Sequence, residues 1–103
     1  MSLTSTPLTT SVANVYVASE DSVVTVIYVA NYSTNTNATF SMHLVASGES
    51  ENSNNIIYSN LTVSAGDTYI ISTEKLVLDT NEAIKAKANV ANVMSTTKSY
   101  TNI

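Results

Sequence analysis

The chain contains few residues that could carry out chemistry, and its single histidine, His43, is the first candidate. An imidazole can act as a general acid or base near neutral pH. His43 lies in an alternating segment in which Thr39, Ser41 and Val45 share its face, so we interpret it as a polar strand residue. No serine lies in a nucleophile-elbow sequence, and the chain has only two glycines with which to build one. The residues therefore predict no catalytic site and no enzyme.

Metal ligands are equally sparse. The absence of cysteine removes thiolate sites and disulfides together. Glu49 and Glu51 lie two positions apart, and Glu20 and Asp21 are adjacent, but a calcium loop needs several oxygen ligands at fixed spacing with a glycine. The segment 47–52 has oxygen ligands without that spacing. We predict no metal site and no cofactor.

Tyrosine rings and asparagine amides are weaker candidates, suited to binding sugars. Strand register predicts that Tyr28 and Tyr58 are structural, which leaves Tyr32 and Tyr100 as exposed rings. Two polar stretches, 32–37 and 48–55, are predicted to be loops at an end of the fold. The candidate ligand-contact residues in these loops are Tyr32, Asn35, Asn37 and Asn52.

The composition predicts what must position these residues. Of the 103 residues, 15 are Ser, 15 Thr and 12 Asn, and only 12% are charged, against about 25% in an average protein. With 12 Val and 7 Ile, one third of the chain is β-branched, which disfavours helices and favours strands. A hydrophobic content of 44% and a net charge of −4 argue against disorder.

Hydrophobic residues recur with a period of two along most of the chain. The alternation predicts about eight short strands, separated by turns such as 64–67 and 79–82. The fold class is therefore all-β, a single antiparallel β-sandwich of the jelly-roll or immunoglobulin-like type, with residues 1–103 forming one domain. The predicted strands cover 11–19, 23–30, 38–46, 56–63, 68–73, 75–79, 83–91 and 92–100.

Charge and hydropathy exclude two classes of partner. Four lysines and no arginine cannot form the basic stripe that binds phosphates, so we predict no nucleic-acid binding. The longest apolar run, 23–30, is far shorter than the roughly 20 residues of a membrane-spanning helix. Residues 1–10 have neither a basic nor an apolar region of the kind that forms a signal peptide. We predict no membrane association.

The layout resembles a family of small virion proteins of tailed bacteriophages, of the type found in phages of marine bacteria. The resemblance runs over nearly the whole chain as a pattern of strands and turns, beginning with VVTVIYVANYS and ATFSMHLVASG. Its best anchors are Gly66-Asp67-Thr68, Lys75-Leu76-Val77-Leu78 and Ile84-Lys85-Ala86. One departure is Asn81-Glu82, where the family often has Gly-Asp.

The resemblance implies a non-enzymatic β-sandwich that forms part of a virion, as a tail, fibre, baseplate or capsid-decoration component. The resemblance also implies that the protein is assembled into the virion in the host cytoplasm. We expect a homo-oligomer, as a trimer, a ring or a subunit on a lattice, together with other virion proteins as partners. The alternative is a module that recognises a host surface glycan through loops 32–37 and 48–55. Uncharged Ser, Thr and Asn faces suit assembly because they can be buried at modest cost when they are hydrogen-bonded.

Overall fold

The computed structural model describes residues 2–72 and 76–103, and every regular element within them is a β-strand. The all-β prediction is confirmed. The strands follow the alternation of polar and apolar residues and end at turns rich in Ser and Asn. They are β1 (Ser2–Leu8), β2 (Ala13–Val17), β3 (Ser22–Asn31), β4 (Ala38–Val45), β5 (Ile56–Val63), β6 (Thr68–Ile71), β7 (Leu76–Leu78), β8 (Ala83–Ala88) and β9 (Met94–Asn102).

The strands form two antiparallel sheets that pack face to face. The first sheet has the order β1-β9-β3-β6, and β7 pairs with β3 beyond the end of β6. The second sheet has the order β2-β8-β4-β5. If β6 and β7 are counted as one interrupted edge strand, the orders become 1-8-3-6 and 2-7-4-5. This arrangement is a jelly roll, so the structure decides between the two predicted types of sandwich.

The structure adds one strand to the prediction. β1 lies at the edge of the first sheet and pairs with β9 from Ser2↔Tyr100 to Leu8↔Met94. Its sequence, SLTSTPL, has little alternation and contains Pro7, which is tolerated at an edge strand. The predicted strands at 68–73 and 75–79 correspond to β6 and β7, while Thr73 and Lys75 lie outside the described residues.

The core lies between the sheets and draws on both. Leu8, Ile27 and Met94 come from the first sheet, and Phe40, Met42 and Ile84 from the second. The rings of Tyr58 and Tyr69 lie 5.9 and 6.0 Å from Phe40, closing the side of the sandwich where β5 and β6 form the sheet edges. Burial of such rings contributes the largest share of hydrophobic stabilisation per residue.

A β-bulge in β3 corrects the prediction for Tyr28. Its pairing with β9 shifts between Val24 and Val26, so one extra residue enters the strand. Val24 faces the core before the bulge, whereas Ile27 and Val29 face it afterwards. Tyr28 consequently lies on the outer face, 40% exposed.

Tyr100 also differs from its prediction. Its ring is half-buried, with its centroid 4.6 Å from that of Tyr16.

The connections fall at two ends of the sandwich, which differ in charge. Connections 18–21, 46–55 and 79–82 meet at one end, where Asn81 N donates to Ala18 O and Thr80 N donates to Asp21 Oδ1. This acidic end carries Glu20, Asp21, Glu49, Glu51, Asp79 and Glu82. Connections 32–37, 64–67 and 89–93 meet at the opposite end. There the only charged residue in the described connections is Asp67.

Candidate functional site

The structure separates the four candidate ligand-contact residues. Tyr32, Asn35 and Asn37 lie in the connection before β4, and Asn52 lies in the connection after it. The 8 residues of β4 place the two connections about 26 Å apart. Each loop lies at an end of the fold, as predicted, but the two lie at opposite ends of β4, so the four residues do not form one site.

Loop 32–37 is held by hydrogen bonds within the protein. Asn31 is buried, donates from Nδ2 to Thr36 O (2.8 Å) and Val63 O (2.9 Å), and accepts from Ser33 N–H. Asn35 Oδ1 accepts from the Thr36 hydroxyl, and Asn37 Oδ1 accepts from Ala65 N–H. The amide oxygens of both candidate asparagines thus fix the loop, and Tyr32 is left as an exposed ring beside it.

His43 lies in a different environment, on the outer face of the second sheet. It is only 7% exposed, because connection 46–55 folds over the end of β4. His43 Nδ1 lies 2.8 Å from Asn55 Oδ1. Asn55 Nδ2 donates to Ser50 O, and Asn55 Oδ1 also accepts from Asn52 N–H, so the orientation of this amide is fixed. Nδ1 must therefore carry the proton that it donates to Asn55.

A polar groove runs across this face of the second sheet. Its main cavity, of about 490 Å³, has Ser41, His43 and Lys87 on the strand face and Ser59 and Asn60 from β5. A second cavity of about 220 Å³ continues it towards Thr10 and Asn89, and the two share Ser41, Asn60 and Lys87. We call the two together the polar groove.

Asn60 is placed by its backbone conformation. Its φ is +51°, in the left-handed region that asparagine tolerates, and its N–H donates to Ser41 Oγ (3.1 Å). Pairing between β4 and β5 is irregular at this point, between Phe40 and Met42. The irregularity sets Ser59 and Asn60 beside the groove instead of continuing the alternation.

Two lysines of β8 face the same side but differ in their surroundings. Lys85 Nζ lies 3.8 Å from Glu51 Oε1, whereas Lys87, two residues along, has no carboxylate within the 4.0 Å ion-pair distance in the described chain. His43 likewise has no carboxylate oxygen within that distance among the described residues. On this face, among the described residues, Lys87 thus lacks the carboxylate neighbour that Lys85 has. The absence of catalysis stays a prediction.

The outer face of the first sheet has an opposite character. Directly paired residues of an antiparallel sheet share a face, so the register places one set of side chains outward. None of these described residues is charged. They are Leu3, Ser5 and Pro7 of β1, Ser95, Thr97, Ser99 and Thr101 of β9, Val23, Val26, Tyr28 and Ala30 of β3, Thr68 and Ile70 of β6, and Val77 of β7. We call this surface the uncharged face.

The uncharged face also exposes several large apolar side chains. The exposed fractions are 69% for Leu3, 40% for Tyr28, 53% for Ile70 and 63% for Val77. On the same face, Ser5 Oγ and Thr97 Oγ1 lie 2.9 Å apart and form a hydrogen bond. Large apolar side chains grouped on one surface mark interaction sites more often than scattered ones do.

The described residues form no cluster of metal ligands on either surface. Within 2–72 and 76–103, no group of three His, Asp or Glu residues comes together to hold an ion. Burial raises the pKa of Tyr58, with Tyr69 adding to the rise, and burial lowers the pKa of Lys98. Both residues lie outside the polar groove and the uncharged face.

The alternation of residues along the strands predicts part of the polar groove from sequence alone. It places Ser41 and His43 on one face of β4 and Lys85 and Lys87 on one face of β8. No local pattern reports that connection 46–55 folds across that face, or that Asn60 adopts a left-handed conformation.

The fold and these surfaces define a small jelly-roll domain with one uncharged face and one polar, grooved face. Comparison with protein-family models, with curated proteins and with solved structures found no match. Residues 2–72 and 76–103 include no helix long and apolar enough to cross a membrane.

Proposed function

We propose that the protein is a non-enzymatic structural subunit of a tailed-phage virion and that it assembles through the uncharged face and the sheet edges. The observation that carries the proposal is the uncharged face, which exposes Leu3, Tyr28, Ile70 and Val77. The pattern-level resemblance to small phage virion proteins supports the phage assignment. Jelly rolls recur in viral capsids, although they also occur in other classes of protein.

Burial energetics favour this face over the rest of the surface. Removing an unpaired charge from water is costly, whereas hydroxyl groups are buried at modest cost when they are hydrogen-bonded. Each of Ser95, Thr97 and Ser99 has an apolar cross-strand neighbour on β3, and Ser95 and Ser99 have one on β1 as well. A facing surface can bury these side chains without separating any ion pair.

The size of the face sets the expected strength of association. Four strands about 4.8 Å apart and about 24 Å long cover roughly 450 Å² in projection. A stable isolated complex buries about 800 Å² on each partner. We therefore expect weak association through the face alone, strengthened by further contacts in a particle. The edge strand β5, which has no charged residue and no proline, offers one such contact.

This proposal places the chain in the virion, after assembly in the host cytoplasm, with copies of itself and other virion proteins as partners. The alternative of a glycan-binding module built from loops 32–37 and 48–55 loses its basis, because the two loops lie at opposite ends of β4.

Self-association of the purified chain tests the proposal. We expect sedimentation velocity to show reversible association at high protein concentration, and Tyr28→Glu to weaken it at least about tenfold because a buried carboxylate lacks a partner. Tyr32→Glu is the matched control, since it makes the same change at an exposed tyrosine outside the uncharged face.

Thermal unfolding of both variants separates lost association from lost folding. A clean 11.0 kDa monomer at the highest soluble concentration contradicts self-assembly of the isolated chain. Equal effects of Tyr28→Glu and Tyr32→Glu contradict the uncharged face as the contact.

A further inference from the structure

We propose that the polar groove on the second sheet binds a hydroxyl-rich ligand that carries one carboxylate, as an acidic sugar does. Lys87 would hold the carboxylate and His43 Nε2 would accept a hydrogen bond from a hydroxyl. The inference is independent of assembly, because the polar groove and the uncharged face lie on opposite sheets.

The acceptor follows from the tautomer of His43. Nδ1 donates its proton to Asn55 Oδ1, so the neutral ring carries its lone pair on Nε2. Nε2 makes no hydrogen bond within the described chain. Because Asn55 fixes the ring, the ring loses little further freedom when a hydroxyl binds, which favours affinity.

The cation follows from the different surroundings of the two lysines. Glu51 lies at ion-pair distance from Lys85. Lys87, at the junction of the two cavities, has no carboxylate at that distance among residues 2–72 and 76–103. A lysine ammonium acts as a point charge for a carboxylate. The carboxylate of Glu51 also lines the groove and disfavours a ligand with several negative charges, such as a nucleotide.

The remaining lining suits a sugar ring. The Ser59 hydroxyl and the Nδ2 of Asn60 have no hydrogen-bond partner among the described residues and can pair with ligand hydroxyls. Ile56 and Val12 supply an apolar wall for the C–H groups of a ring. The main cavity of about 490 Å³ lies within the range of about 300–1,000 Å³ of small-molecule sites. The second cavity extends it towards a further sugar unit.

Amide chemical shifts of the ¹⁵N-labelled protein test the inference, with sodium glucuronate as the probe. We expect glucuronate to shift residues 41–43, 59–60 and 87 with a millimolar dissociation constant. Glucose and acetate should each bind about fivefold more weakly, because each lacks one of the two recognised groups.

Variants at the two lysines distinguish the role of Lys87. Lys87→Gln should reduce glucuronate affinity to that of glucose, a loss of about fivefold, and should leave glucose affinity unchanged. Lys85→Gln makes the same charge change two residues away and should retain the preference for glucuronate over glucose. Lys87 is exposed, so its variant should fold.

A trisaccharide of two neutral sugars and one glucuronate unit distinguishes the source of the ligand, because Glu51 disfavours a probe with several negative charges. Affinity about tenfold above that of glucuronate assigns the groove to an acidic polysaccharide, and equal affinity assigns it to a free sugar acid. Either result supports the inference. An absence of shifts in the groove at about 50 mM glucuronate, where millimolar binding would be saturating, overturns it. Equal binding of acetate and glucuronate, or an unchanged affinity of Lys87→Gln, overturns it as well.

Discussion

Lys98 lies on the core side of β9 and is only 4% exposed. Its cross-strand neighbours are Ile27 of β3 and Thr4 of β1, and its Nζ lies 5.8 Å from the centroid of the Tyr16 ring. The face of an aromatic ring attracts a cation, but burial disfavours the charged form. Burial therefore lowers the pKa of Lys98 from its ordinary value of 10.5.

The lowered pKa of Lys98 predicts a pH dependence of stability. Between the folded pKa and 10.5, the unfolded chain binds more protons, so this group makes the free energy of unfolding rise with pH. Lys98→Met removes that contribution. We expect urea unfolding at about pH 7 to show the variant at least as stable as the wild type, and this relative advantage to shrink towards about pH 10.

The variant must be compared with the wild type at each pH, because the raised pKa of Tyr58 changes the free energy of unfolding in the opposite direction. The folded state retains the Tyr58 proton longer, so stability falls as pH rises above 10.0. Subtracting the wild-type free energy of unfolding from that of the variant cancels the effect of Tyr58, which both proteins share. Lys87→Met makes the same change at an exposed lysine and is the matched control. A constant difference for Lys98→Met would contradict the assignment.

At the scale of elements, Asn31 joins three segments at the end of β3. Its side-chain amide donates to the carbonyls of Thr36 and Val63 and accepts from Ser33 N–H. Its backbone N–H donates to Asp67 O, and its carbonyl accepts from Gly66 N–H. One buried residue thus holds loop 32–37, the end of β5 and the turn before β6.

Asn31→Asp tests this role. The carboxylate cannot donate to the two carbonyls and lies buried against them, so we expect a loss of at least about 2 kcal/mol in the free energy of unfolding. Asn35→Asp makes the same change at an exposed position and should alter stability by less than about 0.5 kcal/mol. Equal losses in urea denaturation would contradict a special role for Asn31.

At the scale of the whole molecule, charge is distributed unevenly. Six of the eight acidic residues lie at the acidic end, and the uncharged face runs along the side of the sandwich. Two copies that met through this face in parallel would bring their acidic ends together. An antiparallel pair places each acidic end beside the nearly uncharged end of its neighbour, so electrostatics favour the antiparallel arrangement.

This distribution predicts how salt affects association. The proposed contact through the uncharged face has no ion pairs to screen, whereas the repulsion between molecules of net charge −4 is screened by salt. We expect the association constant from sedimentation to rise between about 50 and about 500 mM NaCl. Weakening by salt would show that ion pairs hold the copies together and would contradict the uncharged face as the main contact.

Much of the fold follows from the sequence. The β-branched composition and the period-two alternation predict an all-β sandwich, and the structure confirms it. Parity correctly places Ser41 outward on β4 and Ser95, Thr97 and Ser99 outward on β9. The turn at 79–82 is also confirmed. Asn81 adopts a φ of +71° at the position where the family that the sequence resembles often has Gly. These features are local, because the side-chain period and the turn preferences depend on a few neighbouring residues.

What the tertiary structure alone decided depends on residues far apart in the chain. β1 becomes a strand because it completes the sheet beside β9, although its own sequence hardly alternates. The bulge in β3 is set by pairing with β9, and it turns Tyr28 outward. The polar groove forms where connection 46–55 folds over β4. A local pattern records which side chains can be buried together, but only long-range pairing determines which of them meet.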